Sequence, residues 1–351
     1  MNRLAIVGLG AAARTIHLPA VTSLGDVELC GACDPQERAR ASFSRLAPHL
    51  PLYHNAATLL AEQKPQWVVV ATPPAHHRET CLLALEAGAH VFCEKPMGEN
   101  LDDADAILAA ASRCGRQIAV NFEFPSMPIF AAALARVGSA DFGRPLVIQA
   151  WQTVDEWPGS VAGWRAQGHT LREFGCHVID LIMRFFAAPP QRVYARMPRP
   201  VGGLGGDPVD LVILDFAGER AASIHLQRLC RGPHRYLEMR IDGEHSSLRT
   251  SIGGQARLTL ALHPRTRMPS GRLDLAAGGR AWLETGDRRR ILARNELRAF
   301  ALATARHLRA VMTATERGEE PPASGAHARQ VLAVVEAAYT SAASGTAVAL
   351  S

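Results

Sequence analysis

No apolar run in these 351 residues approaches the ~20 residues that a membrane-crossing helix needs. The opening MNRLAIVG passes straight into a strand pattern with no cleavable signal, so a cytoplasmic protein with no membrane partner is the expectation. Cysteine is sparse: seven, an odd number scattered along the chain, which argues for reduced thiols and against a disulfide framework. The CGAC at 30–33 has redox or metal spacing, but in the strand-like VELCGACD residues three apart point to opposite sheet faces, so Cys30 and Cys33 read as packing residues. There is little charge imbalance: a net charge of +5, with one short basic run at Arg288, Arg289 and Arg290. Without interleaved aromatics or a recognisable reader module that run is a solvated face, and no nucleic-acid partner is expected; an anionic small molecule stays compatible. With 48% apolar and 20% charged residues and no internal repeat, extensive disorder is excluded, and the length points to two domains.

What is present is an alternation. RLAIV (3–7), VELCGAC (27–33), LPLY near 51–53, WVVVA (67–71), HVFC (90–93) and QIAV (117–120) are separated by helical patterns such as LDDADAILAAASR. Continuous apolar strands between helices imply a doubly wound parallel sheet covered on both faces. After Asn121 the pattern changes to strands in succession, PLVIQAWQT, VYARMP, DLVILDF, AASIHLQRL, RYLEMRID and ARLTLAL, with helices at PIFAAALARVG and roughly 296–316 and 326–344. This is an α/β domain over 1–121 followed by an α+β domain over 122–351 with a mainly antiparallel sheet. GGLGG at 202–206 has no helix after it and reads as a connection, not a phosphate loop.

The first strand runs into IVGLGAAA, a GxGxxA loop made of Gly8, Leu9, Gly10, Ala11, Ala12 and Ala13. Gly8 permits the tight turn, Gly10 lets the backbone approach a pyrophosphate, and Ala13 allows close packing of helix on strand. Asp34, ending the second strand, is placed to accept hydrogen bonds from ribose hydroxyls and favours NAD over NADP, with Arg38 and Arg40 nearby to soften that preference. Pro19 is expected to shorten or kink the first helix.

The fifth strand ends in Glu94, Lys95 and Pro96, at the sheet edge where such folds bind ligands. A lysine there can stabilise developing alkoxide charge; a strand-end ion pair is the plainer reading. In GHTLREFGCHVIDLIMRFF (168–186) a helix places Glu173, His177 and Asp180 on one face. A proton-shuttling histidine with a carboxylate one turn away, a hydrogen-bonded core histidine and a metal site all fit that spacing.

Taken together these segments resemble the glucose-fructose oxidoreductase and inositol dehydrogenase (Gfo/Idh/MocA) family nearly end to end: IVGLGAAA with HLPA, Asp34, VVVATPPAHH (68–77), EAGAHVFCEKPMGENL (86–101), NFEF (121–124), GWR (163–165), EFGCHVID (173–180) and the closing VVEAAYTSAASGTAVAL. The resemblance implies an N-terminal Rossmann domain, an open-faced C-terminal sheet domain, a nicotinamide cofactor and no metal. It implies cofactor-binding roles for the glycine loop, Asp34, Thr72, Pro73, His77, Glu94 and Lys95, catalytic roles for Lys95 and His177 with Glu173 beside them, and a homodimer or homotetramer. It also implies hydride transfer at a hydroxyl or carbonyl carbon of a sugar, cyclitol or derivative. Trp164 and Arg165 are candidates for substrate contact, with a domain-interface role as the alternative. Glu173 stands where the family usually has aspartate, GHT replaces a frequent triple glycine, and an arginine common after the NF segment is missing, so substrate identity stays open. A redox-neutral NAD-dependent glycoside hydrolase or lyase and a non-catalytic dinucleotide-binding protein are the rival readings.

Overall fold

The computed structural model describes residues 2–156, 169–231, 236–262 and 269–350, with the backbone alone over 254–262 and 269–277. Trp164 and Arg165 lie outside the described residues. The chain divides into two compact units, Met1–Ser126 with Phe300–Glu336, and Met127–Ala299 with Ala337–Ser351.

In the first unit six parallel strands form one sheet: β1 (Asn2–Val7), β2 (Val27–Cys33), β3 (Leu52–Tyr53), β4 (Trp67–Val70), β5 (His90–Cys93) and β6 (Ile118–Val120), in the order β3-β2-β1-β4-β5-β6. Helices α1 (Leu18–Thr22), α2 (Glu37–Ser44), α3 (Ala56–Gln63), α4 (His77–Glu86) and α5 (Leu101–Cys114) make the crossovers. The strands are apolar without alternation because both faces are covered, and Leu4–Val7 and Trp67–Val70 are buried throughout. Their core takes in Phe43 and Phe92 and, from far along the chain, Leu308, Val311 and Met312. Capping is local: Asn100 accepts the Asp103 N–H at 2.9 Å to start α5, and Gly115 at φ +60° ends it.

The helix after the glycine loop is not regular. A π-helical turn, Ala13–His17, precedes α1, in whose first turn Pro19 sits with no N–H to donate. The wide turn ends on His17, which is fully buried.

The second unit is built on a nine-stranded sheet: β7 (Pro145–Thr153), β8 (Arg192–Arg196), β9 (Val209–Phe216), β10 (Arg220–Gln227), β11 (Leu237–Gly243), β12 (Ser247–Leu262), β13 (Pro269–Thr285), β14 (Arg288–Arg294) and β15 (Val348–Ala349). Their order is β14-β13-β12-β11-β7-β10-β9-β8-β15, and among the described residues only β7 and β10 pair in parallel. In β9 Asp210, Val212, Leu214 and Phe216 are buried while Leu211 and Ile213 are exposed, so one face is packed and the other open. Helices α6 (Pro128–Leu134) and α7 (Cys176–Phe186) belong to this unit, and α8 (Ala299–Glu316) and α9 (Gly325–Ser344) fall where the helical periodicity ends the chain. The sequence did not announce β13 and β14: the arginine run opens β14 as an edge strand, its three side chains exposed. Among the described residues no helix is long and apolar enough to cross a membrane.

Candidate active site

The carboxyl ends of the parallel strands bring several sequence-predicted residues to one edge of the first unit. Gly8 has φ +92°, and a Cβ there would lie 2.5 Å from the Thr72 nitrogen and 2.6 Å from the Ala71 carbonyl carbon, so the loops after β1 and β4 approach too closely for a side chain. Gly10 differs: nothing lies within 4 Å of its Cβ position, and the residue is exposed. Its missing side chain serves no packing purpose and leaves the backbone open to a ligand. Ala13 is fully buried under the sheet.

Asp34 closes the loop from the side. Its Oδ2 accepts the Leu9 N–H at 2.9 Å and its Oδ1 the Gln36 N–H at 2.8 Å. Arg40 turns to main chain, donating to the Asp34 and Pro35 carbonyls at 2.7 and 2.9 Å, while Arg38 is exposed. After β4, the Thr72 hydroxyl is buried with no hydrogen-bond partner, a group that a nucleotide at this edge would satisfy. An open glycine backbone, a positioned carboxylate and an orphaned hydroxyl fit a dinucleotide at this edge. Pro73 is exposed beside them.

His77, at the start of α4, is fully buried and braces two loops: Nδ1 lies 2.7 Å from the Pro96 carbonyl and Nε2 2.9 Å from that of Thr72. Burial draws its pKa below the ordinary value, against the opposing pull of the two carbonyls.

Glu94 leaves β5 with its N–H donated to the Val70 carbonyl at 2.8 Å, so the ladder continues through it until Pro96 ends it. The carboxylate sits in a knot of donors: His17 Nε2 at 2.7 Å, Asn121 Nδ2 at 2.8 Å and the Lys95 N–H at 3.3 Å. Burial alone would raise its pKa, but the hydrogen bond and charge of His17, the charge of Lys95 and the Asn121 amide hold it down at about 2. The strand therefore ends in an acid because that acid ties the end of β5 to the residue after β6 and to the π-helical turn; Lys95, half-buried, follows it and is joined to Pro96 by a cis bond. His17 and Asn121 are the functional neighbours that sequence reasoning did not single out; they lie 77 and 27 positions from Glu94, and only the fold joins them.

In the second unit Glu173, His177 and Asp180 are all buried. They do not share one regular helix. A π-helical turn, Leu171–Gly175, precedes α7, so Glu173 sits in a wider turn than the four-residue spacing implied. Gly175 is small for a packing reason, since a Cβ would come within 2.6 Å of Leu171 and 2.7 Å of Leu226 on β10. Asp180 accepts from Arg184 Nε at 2.9 Å, one turn along. Asp207, just past the GGLGG connection, is also buried and reaches back to the start of this helix, a role with no local signal. Among the described residues no group of three or more His, Cys, Asp or Glu is arranged to hold a metal ion.

Known proteins place this architecture. The model described as "Oxidoreductase family, NAD-binding Rossmann fold" matches residues 2–122, and the GFO/IDH/MocA C-terminal domain model matches 130–249. A D-apiose dehydrogenase from Paraburkholderia graminis is 27% identical over 99% of this chain and 89% of its own length. An inositol 2-dehydrogenase from Rubrobacter xylanophilus is 28% identical over 49% of this chain and 50% of its own. Among solved structures, an oxidoreductase from Agrobacterium radiobacter in complex with NAD+, L-tartaric acid and magnesium superposes with a TM-score of 0.83 at 20% identity, covering 99% of this chain and 98% of that one, a likeness of fold.

Proposed function

This chain belongs to the Gfo/Idh/MocA family of oxidoreductases, and from that premise we propose that it is an NAD(P)-dependent dehydrogenase acting on a hydroxyl carbon of a sugar, cyclitol or sugar derivative. The observation that carries the reading is the edge of the first sheet, where an open-sided Gly10, Asp34 and the Glu94 knot stand together. The nucleotide-binding role falls to 1–121 and the substrate role to 122–351.

A bound nicotinamide supplies the hydride acceptor in oxidation and the donor in reduction. Gly8, Leu9, Gly10, Ala11, Ala12 and Ala13 would hold its phosphates, Asp34 its ribose, with Thr72 and Pro73 along the same edge. His77 and Glu94 hold the loops that shape it. NAD is preferred over NADP: Asp34 presents a carboxylate to the ribose, and Arg40 is committed to main-chain carbonyls. Lys95 stabilises the alkoxide that forms as the substrate hydroxyl loses its proton, and His177 accepts that proton. Glu173 orients a neighbouring hydroxyl.

The likeness to a D-apiose dehydrogenase puts D-apiose first in a substrate panel that continues through cyclitols and nucleotide sugars. Nicotinamide absorbance is followed with NAD and then NADP. A substrate-dependent change that is lost in Lys95→Ala, with dinucleotide affinity kept, supports the proposal. Product release from a glycoside with no net change in absorbance would replace it with a redox-neutral hydrolase, and dinucleotide binding with no turnover by any sugar would leave a binding protein. The protein acts in the cytoplasm as a homodimer or homotetramer formed through the open sheet face, where Val147, Trp151, Tyr194, Leu211 and Ile213 are each at least 36% exposed.

A further inference from the structure

We infer that Asp207 is a positioning residue for His177: it holds the first turn of the helix that carries Glu173 and His177 from a separate stretch of chain. The inference rests on the assignment of His177 as the proton acceptor, and it adds a residue that neither spacing nor motif marks.

The geometry is that of a cap supplied in trans. Asp207 Oδ1 accepts the Thr170 N–H at 2.7 Å, and Oδ2 accepts the Leu171 N–H at 3.1 Å. His169 Nδ1 lies 3.2 Å from Oδ1, and the Tyr339 hydroxyl donates to Oδ2 at 3.0 Å. Four donors from two segments thus converge on one carboxylate that is 1% exposed. The helix offers its positive end there, so an ionised carboxylate is favoured over a neutral group of the same shape.

A second acid completes the arrangement. Asp210 on β9 is fully buried, and burial first, then the charge of Asp207, pushes its carboxyl up to about 10. Asp210 is therefore a neutral acid at pH 7 with a proton it can offer to Asp207, whose own carboxyl is held below its ordinary value, against burial, by His169 and then by Asp210. The other charged or titratable groups facing the pair are His169, Tyr339, Arg228 and, over the Tyr339 ring at 5.3 Å, Arg172. The two acids look alike in sequence and have opposite roles: one is ionised and accepts from the helix, the other is neutral and can donate.

Why the cap matters for position, and not for stability alone, follows from what lies between it and His177. The intervening turn is the π-helical Leu171–Gly175, a single wide turn of a kind rare within α-helices, with α-helical bonding one step away. Holding the Thr170 and Leu171 N–H groups fixes the upstream end of that turn. Once released, the turn can relax toward α-helical bonding; a slip of one residue in the ladder rotates the upstream end by about 100° in all, and Glu173, inside the turn, swings away from its place relative to His177.

Asp207→Asn and Asp210→Asn separate the two roles. In Asp207→Asn an amide NH2 replaces one acceptor against helix N–H or tyrosyl O–H donors. With NAD and the sugar of the panel turned over fastest, kcat should fall between about 10- and 100-fold while the Kd for NAD changes less than about twofold. Asp210→Asn keeps a neutral donor toward Asp207 and should stay within about threefold of wild type. Hydrogen exchange read by mass spectrometry should show faster exchange at Thr170–Gly175 in Asp207→Asn and unchanged exchange in β1–β6. Unaltered kcat and unaltered exchange in Asp207→Asn would overturn the inference, as would an Asp210→Asn variant as impaired as Asp207→Asn. If Asp207→Asn does not fold, Tyr339→Phe, which removes one donor to Oδ2, takes its place; an unchanged kcat there would count against the inference. His177→Gln is the control for the underlying reading. Full turnover in His177→Gln removes the role of His177 itself, whereas lost turnover in His177→Gln beside normal turnover in Asp207→Asn removes only that of Asp207.

Discussion

Glu94→Gln tests the electrostatics at the end of β5 directly. The side chain is 13% exposed, so solvent screens it little, and its three donors are all within 3.3 Å. The gap between a folded pKa of about 2 and the ordinary 4.5 corresponds, at about 1.4 kcal/mol per pH unit, to about 3 kcal/mol favouring the ionised form when folded. Since the folded pKa is the lower one, this stability is fully present above pH 4.5 and is lost as pH falls through about 2. Glutamine keeps the shape, removes the charge and turns an NH2 toward one of the three donors. Wild type and Glu94→Gln unfolded in urea side by side, followed by circular dichroism from pH 7 to pH 3, should differ by about 3 kcal/mol at pH 7. Less than about half of that should remain at pH 3. Taking the difference cancels the titrating groups that do not interact with Glu94. A difference below about 1 kcal/mol at pH 7, or one that does not change down to pH 3, would refute the account of Glu94 as a carboxylate held ionised by His17, Lys95 and Asn121.

Gly8→Ala should lose at least about 2 kcal/mol in thermal or urea unfolding, because its φ is positive and its Cβ would overlap main chain, whereas Gly10→Ala should stay within about 0.5 kcal/mol and instead lose NAD affinity by calorimetry. Equal destabilisation of the two variants would contradict the distinct reasons given for them. Iodoacetamide at pH 8 should label the partly exposed Cys114 in the folded protein and leave Cys33 untouched, since burial, then Asp34, pushes the Cys33 thiol up to about 11; rapid labelling of Cys33 would revive a redox reading of CGAC. Ile213→Arg, on the open sheet face, should shift the mass seen by light scattering toward the monomer with secondary structure intact, and an unmoved mass would place self-association elsewhere.

The first sheet was legible because each of its strands is an apolar run bounded by a turn or a helix, and because glycine and aspartate stand where strand ends need them. β13 and β14 were not: AAGGRAWLET interrupts its apolar residues with glycine and arginine, and RRRILAR lies on an exposed border, where packing imposes no alternation. Lys95, His177 and Glu173 were legible as residue types in a family pattern. Their supports were not, since His17, Asn121 and Asp207 act on residues 77, 27 and 36 or 37 positions away, and no local spacing encodes that. The two π-helical turns were hidden for another reason: one slipped hydrogen bond leaves the apolar periodicity of a short helix almost unchanged. The return of Phe300–Glu336 to the first unit has no signature in composition either.

The borders of the nine-stranded sheet constrain how copies of this chain can meet. One border is β14, which opens with three exposed arginines; the other is β15, two residues long. A foreign strand seeking to lengthen the ladder meets a block of positive charge on one side and runs out of backbone on the other. Growth by strand addition, which would string molecules into fibres, is blocked at both ends. Of the ways copies could meet, that leaves the broad face, where a two-fold arrangement would bury the same patch on each partner and stop there.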